Sequence, residues 1–335
     1  MDLVVQRLES RLHEKIAEYF PELRGENLRL SFTALKRATY STVYFFRSKS
    51  MSATQIPVGV VVKVYSKQQN WDELSKAQYS VLRAMWPLFE NSRAFGLPRP
   101  LDFFPDPPAL VMEEVRGESL QRMFRSIWRF PIRFNDIVRA CWGCGQWLYH
   151  FHNKTRLPPH ALDLAEKRVG AHENLARLEA FDFSKELLRK VETSLTQKVL
   201  ALTQVDLPKA LVHGDFTVDN VLIDQKRTCV IDLTGRDQNA IYHDLATFLN
   251  SLRMLRLSLP IPTSFIRSCS KAFLSGYFTG GNYNPTALEF IRLAGLISVI
   301  SEILNRRGDN PLARWWIRRF FAGELRSLVD GRNDL

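Results

Sequence analysis

Only four cysteines stand in the 335 residues. That is too sparse for the disulfide framework of a secreted scaffold, so a reducing compartment is expected. No window approaches about 18 uninterrupted apolar residues, which argues against a transmembrane helix. The first twenty residues carry charges throughout and lack the apolar core of a signal peptide. A cytoplasmic location is therefore expected. Neither an internal repeat nor a low-complexity run is visible. What the chain does have is 45% hydrophobic and 11% aromatic residues, ample for a sizeable core. The length favours two lobes. The formal net charge of +11 favours anionic partners such as phosphate esters, nucleic acid or an acidic membrane surface.

Leu3, Leu8, Leu12, Ile16 and Phe20 recur at roughly helical spacing and predict an amphipathic helix within residues 1–25. LRLSFTALK, YSTVYFFR and QIPVGVVVKVY are rich in β-branched and aromatic residues and read as strands. A helical pattern follows through Ala77, Val81 and Met85. GLPRPLDFF and PALVMEEV then read as two short strands divided by the turn-forming PDPP. After Gly117 long helical patterns dominate, with one strand-rich interruption at 210–233. The boundary falls near Glu114–Gly117. It divides a sheet-rich N-lobe, 26–115, from a larger, mainly helical C-lobe, 116–335, in an α+β chain.

The stretch LVHGDFTVDNVLID, residues 211–224, sets His213, Asp215, Asp219 and Asn220 in a polar loop between two apolar runs. A tight turn, DQKR, and a third apolar run ending at Asp232 imply a hairpin. Phosphoryl transfer from a nucleotide needs such groups. One carboxylate orients the attacking hydroxyl and takes its proton. A second carboxylate and an amide oxygen hold magnesium, and a lysine neutralises phosphate charge. Asp215 suits the first role, Asn220 and Asp232 the second. Protein kinases place Asn five residues after the Asp of H-R-D, and H-G-D here keeps that separation. Singly, each residue reads as a turn cap or a strand end; the ordered set points to a catalytic loop.

His213-Gly214-Asp215 with Asn220, then Ile231-Asp232, then Asp244-Leu245-Ala246, resemble the motif of the aminoglycoside phosphotransferase and choline kinase-like family of small-molecule kinases. The resemblance implies a bilobal protein-kinase-like fold: a small antiparallel-sheet N-lobe, a larger helical C-lobe, ATP or GTP between them, and Mg2+. It also implies a strand lysine, which VGVVVKVY supplies as Lys63, with phosphates as its partner. Glycines are missing where a phosphate loop would carry them, at Lys36, Ala38 and Ser41. Thr39 and Ser41 are the candidates to replace them, beside the alternative of a plain hairpin turn. Gln78 stands where a glutamate partner for Lys63 is expected; either Gln78 bonds Lys63 or Glu73 reaches it. Met112, Glu113 and Glu114 would meet the purine edge through backbone groups, with Val43, Val61 and Leu222 as apolar walls. His213 is set beside Asp215 as a catalytic residue that would buttress the loop, and Asp244 would brace it or cap a helix.

Other signals carry less. CWGC, residues 141–144, has redox or zinc spacing but reads as a buried helix face without a second such pair. Arg122, Arg125 and Arg129 alternate with Phe124, Trp128 and Phe130, and Arg314, Arg318 and Arg319 flank Trp315, Trp316 and Phe320. Such helices can touch an anionic membrane or pack their aromatics on a lobe. No recognition module speaks for nucleic acid. The reading is a Mg-dependent small-molecule kinase acting on a hydroxyl, for which a sugar or a cell-envelope or lipid-linked precursor fits the basic charge. The alternative is a catalytically silent pseudokinase that binds or scaffolds.

Overall fold

The computed structural model describes residues 3–23, 29–37, 41–48, 58–65, 71–130, 133–161, 164–225, 227–234, 238–279, 281, 283–307 and 310–331. In chain order the first elements are helix α1 (Leu3–Tyr19), strands β1 (Leu30–Arg37), β2 (Ser41–Ser48) and β3 (Gly59–Tyr65), helix α2 (Trp71–Met85), and strands β4 (Phe95–Gly96), β5 (Pro100–Pro105) and β6 (Pro108–Glu113). Next come β7 (Glu118–Ser119), α3 (Leu120–Ser126), α4 (Phe134–Lys154), β8 (Arg156–Ala161), α5 (Leu164–Ala180), α6 (Lys185–Leu202) and β9 (Asp206–Leu211). The chain continues through β10 (Val221–Asp224), β11 (Arg227–Val230), β12 (Gln238–Ala240), α7 (Tyr242–Ser258), α8 (Thr263–Tyr277), α9 (Pro285–Arg307) and α10 (Pro311–Val329). Two compact units result: Met1–Gly117 with Leu222–Arg236, and Glu118–Val221 with Asp237–Leu335.

The first unit is built on an antiparallel sheet in the order β1-β2-β3-β6-β5. Side chains alternate between the faces of a strand, so Val60 and Val62 point one way and Val61 and Lys63 the other. The first face is dry. Val60, Val62, Tyr44, Phe46, Ala109 and Val111 are buried there with Val5, Leu8 and Leu12 of α1. Leu3, expected on the buried face, is 81% exposed, and Val5 takes its place. Val5, Leu8 and Leu12 follow the three- and four-residue steps of one helical stripe, whereas Leu3 lies two residues off it. The Tyr19 hydroxyl and the Lys15 ammonium both donate to Asp102 on β5, at 2.7 and 2.6 Å, which fixes the end of α1 against the sheet.

The second unit is mainly helical, with a small sheet in the order β12-β9-β8. Helices α4 and α8 approach so closely that only glycine fits. A Cβ on Gly145 would lie 2.1 Å from the Phe273 carbonyl oxygen, and one on Gly276 would lie 2.2 Å from that of Trp142. Backbone cannot yield as a side chain can. Gly276→Ala is therefore expected to cost roughly 3 kcal/mol. Gly323→Ala on α10, where nothing lies within 4 Å, is expected to gain up to about 1 kcal/mol from helix propensity. Denaturant melts of the two variants check this; equal stabilities would contradict the close crossing.

Cys141, Cys144 and Cys269 are buried as free thiols along α4 and α8. Burial pushes the Cys141 and Cys144 thiols up, away from the thiolate that redox chemistry or zinc would need. In the basic-aromatic segments Phe124 and Phe321 are buried, while Trp128, Phe130, Trp315 and Trp316 are about half exposed. Arg314 lies over the Phe181 ring and Arg319 over the Trp315 ring. Among the described residues no helix is long and apolar enough to cross a membrane.

Candidate active site

The face of the first sheet turned away from α1 carries five of the residues singled out for nucleotide binding. Val43 stands opposite Lys63, Ser41 opposite Tyr65, and Met112 opposite Val61. Residues directly opposite on neighbouring strands share a face, so Ser41, Val43, Val61, Lys63 and Met112 form one surface. Thr39 lies outside the described residues. The backbone N–H of Glu113 donates to Arg99 O at 2.9 Å, and that of Glu114 to Gly59 O at 2.8 Å. Their carboxylates are engaged as well, Glu113 with Arg99 and Glu114 with Arg47. The purine-edge expectation for Glu113 and Glu114 therefore loses its N–H donors to neighbouring backbone carbonyls.

Lys63 does not wait for phosphate. Its ammonium donates to Asp232 Oδ1 at 2.5 Å, and its side chain is only 15% exposed. A buried ammonium needs such a counter-charge. Neither alternative for a Lys63 partner on α2 holds. Glu73 is exposed. Gln78 is buried, accepts from the Tyr65 hydroxyl, and donates its amide to the same Asp232 Oδ1 at 2.9 Å and to Leu233 O at 3.1 Å. Gln78 thus anchors the aspartate, and the lysine only through it. The sequence shows no signal for that role, because a glutamine inside an amphipathic helix looks like any half-buried polar residue. Asp232 has φ of 63°, the left-handed region in which a non-glycine residue stores strain; such strain concentrates at functional positions.

Asp232 is delivered by the predicted hairpin. β10 and β11 are neighbours, and β11 pairs in parallel with β4 through Thr228 and Cys229. Leu222 is half-buried on β10. Gly117 (φ 136°) passes so close that a Cβ would lie 2.8 Å from Ile223 O, which only glycine tolerates.

The HGD loop belongs to the second unit, between β9 and β10. His213, named beside Asp215 as catalytic, is fully buried. It packs against the Trp147 and Phe216 rings, and its Nδ1 accepts from the Asp215 N–H at 3.2 Å. It positions the loop from within and cannot meet a substrate. Asp215 is exposed. The Asn220 amide donates to both the carboxylate and the backbone oxygen of Asp215, each at 2.9 Å. That orientation commits the amide NH2 to Asp215 and turns the Asn220 oxygen elsewhere, as an acceptor. Val218 ties the loop to its scaffold by donating to Ser251 Oγ on α7 and accepting from Gln121 N on α3.

Asp244 braces this loop. Its carboxylate accepts from His213 N at 2.7 Å, Gly214 N at 3.1 Å and His152 Nε2 at 2.9 Å, and the Tyr277 hydroxyl meets the other nitrogen of His152 at 2.8 Å. His152 and Tyr277 are the parts of this network that the motif alone does not reveal; only the Leu148-x-x-x-His152 spacing hints at one. Burial works against the Asp244 charge, yet the hydrogen bonds from His152 and the loop outweigh it and hold the carboxyl below the ordinary 3.8. A depressed carboxyl stabilises the fold fully above the unfolded-state value and loses that contribution as pH falls through the folded one. The melting-temperature gap between wild type and Asp244→Asn is thus expected to hold from pH 7 to about pH 5 and to shrink below about pH 4. A gap that widens in acid would contradict it.

A cavity of about 570 Å³ opens in the second unit beside Asp215, walled by the loop and by helices α5, α7 and α9. Its size suits a small ligand.

Among known proteins, the profile of the phosphotransferase enzyme family (APH) matches residues 37–281. None of the curated protein sequences matches the chain. Among solved structures, a glucosamine kinase in complex with glucosamine, ADP and inorganic phosphate is similar at TM-score 0.61 and 17% identity, covering 92% of this chain and 96% of the other. A GDP complex of an aminoglycoside 2'-phosphotransferase IIIa mutant is similar at TM-score 0.58 and 16% identity, covering 97% and 99%. A choline/ethanolamine kinase family protein from Mesorhizobium loti is similar at TM-score 0.51 and 16% identity, covering 95% and 94%. At these identities the likeness is one of fold. With the family profile spanning most of its length and the HGD loop, Lys63 and Asp232 set in their expected elements, the chain belongs to the phosphotransferase enzyme family and has its bilobal, protein-kinase-like α+β fold.

Proposed function

We propose that the protein is a magnesium-dependent small-molecule kinase that moves the γ-phosphoryl group of ATP or GTP to a hydroxyl. The observation that carries this reading is the Asp215–Asn220 clamp, which fixes an exposed carboxylate and an amide oxygen in a buttressed loop. In this reading Asp215 takes the proton of the acceptor hydroxyl as its oxygen bonds to phosphorus and the nucleoside diphosphate leaves. Ser41, Val43, Val61 and Met112 face the nucleotide, and Lys63 exchanges its Asp232 contact for phosphate oxygens.

The donor set fits magnesium. The Asp232 carboxylate and the Asn220 amide oxygen are hard oxygen ligands, and magnesium is ordinarily held by one or two such groups together with substrate phosphates. Bound there, the ion would neutralise phosphate charge. That Asp215, Asn220, Lys63 and Asp232 are all present argues against the silent pseudokinase, which needs none of them. The acceptor is a small hydroxyl compound, with sugars and cell-envelope precursors as the range to be tried. The test is background hydrolysis of ATP and of GTP in magnesium and in EDTA. Slow, magnesium-dependent hydrolysis of at least one supports the reading; none with either metal state would favour the pseudokinase.

A further inference from the structure

Resting on the kinase reading, we propose that the cavity beside Asp215 is the acceptor site, that it admits uncharged hydroxyl compounds with an apolar face, and that Asn250 selects them. The chain has 46 lysines and arginines, yet among the described residues none lines the cavity. His243 is the one basic side chain among the described residues of the wall, so an acceptor bearing phosphate or carboxylate would meet no lysine or arginine, which a partly dry site penalises. The carboxylates at the wall are Asp215 and Asp219. With Asp215 given to proton transfer, one is left, too few for a polyamine. The net charge of +11 by itself leaves anionic acceptors open; a wall without lysine or arginine weighs against them. The remaining wall alternates apolar side chains, such as Met254, Ile291 and Val299, with neutral polar ones, such as Asn174, Ser251 and Ser298.

Asn250 is a polar residue of that wall. It lines the cavity from α7 and is 6% exposed. Its amide donates to Arg292 O at 3.0 Å, which fixes the orientation of the side chain. Its Oδ1 is buried and has no hydrogen-bond partner. A buried acceptor left unsatisfied is costly, and because Asn250 lines the cavity a donor held there can supply the missing O–H or N–H. Arg292 itself does not line the cavity; it meets Asn250 through its backbone. A hydroxyl or amide N–H of the acceptor satisfies Oδ1, while its apolar face lies on Met254 and Ile291. The next residue, Ser251, holds Val218 of the catalytic loop, so seating at Asn250 sets the acceptor in register with Asp215.

The test is a phosphoryl-transfer panel with labelled ATP and GTP: N-acetylglucosamine, myo-inositol and octyl glucoside as neutral acceptors, glucosamine and kanamycin as cations, glucose 6-phosphate as the anion. The neutral compounds are expected to exceed kanamycin and glucose 6-phosphate by at least about a hundredfold in kcat/KM. Asn250→Ala is expected to raise the neutral acceptor's KM about tenfold or more, with a smaller change in kcat. Should Asn250→Ala fail to fold, Ser298→Asp serves instead. It adds a carboxylate to the same wall and is expected to shift the preference toward glucosamine about tenfold. If magnesium-nucleotide binds and hydrolyses but a charged acceptor is preferred, or no neutral compound is used, the cavity assignment is overturned and the kinase reading stands. If no nucleotide binds, the kinase reading itself has failed.

Discussion

Asp215→Asn is expected to lower turnover roughly a thousandfold while the protein stays folded and still binds nucleotide. The substitution is nearly isosteric, and the new amide oxygen can accept the bond that Asn220 now gives the carboxylate at 2.9 Å. Asp215 is exposed and the loop is braced from behind by Asp244 through His213 and Gly214, so stability should change by less than about 0.5 kcal/mol. What vanishes is the base. Single-turnover kinetics with a neutral acceptor, beside a thermal melt, separates the two effects. A variant that folds, binds nucleotide and turns over within a few-fold of wild type would remove Asp215 from the chemistry.

Asp232→Ala is expected to act on both stability and metal. Its carboxylate accepts from Lys63 and Gln78 at one oxygen. Truncation leaves a nearly buried ammonium and a buried amide without that acceptor, a loss of roughly 1–3 kcal/mol. Nucleotide affinity in magnesium should drop about tenfold or more, toward its value in EDTA. Asp232→Asn separates the two. The amide oxygen can still accept from Gln78 and Lys63, so part of the stability should return, while the charge that holds the ion does not. Recovery of magnesium-dependent affinity in Asp232→Asn would contradict a ligand role for the carboxylate.

Much of this was legible in the residues. The alternation around Lys63 in VGVVVKVY places Val61 and Lys63 on one face and Val60 and Val62 on the other, and the register of three strands then gathers Ser41, Val43 and Met112 with them. The Asp215–Asn220 spacing brings the two side chains within hydrogen-bonding distance. What stayed hidden depends on partners distant in the chain. Lys63 meets Asp232 and Gln78 anchors that aspartate, which no local pattern announces. The grouping of Leu222–Arg236 with the first unit rests partly on the parallel pairing of β11 with β4, a contact between segments far apart in sequence. His213 shares the motif with Asp215, yet burial makes it a support, and spacing alone does not separate the two roles. Asn250 sits inside an apolar helical run, LATFLNSL, where a polar residue stands out only once a cavity is seen beside it.

The most direct measurement of the central claim is a calorimetric titration of the wild-type protein with ATP and with GTP, in magnesium and in EDTA. The account predicts one-to-one binding of at least one nucleotide, tightened tenfold or more by magnesium, with that enhancement absent in Asp232→Ala. Absence of binding for both nucleotides in magnesium, or binding indifferent to the metal in the wild type, would contradict the assignment of Lys63, Asp215, Asn220 and Asp232 as a phosphoryl-transfer site.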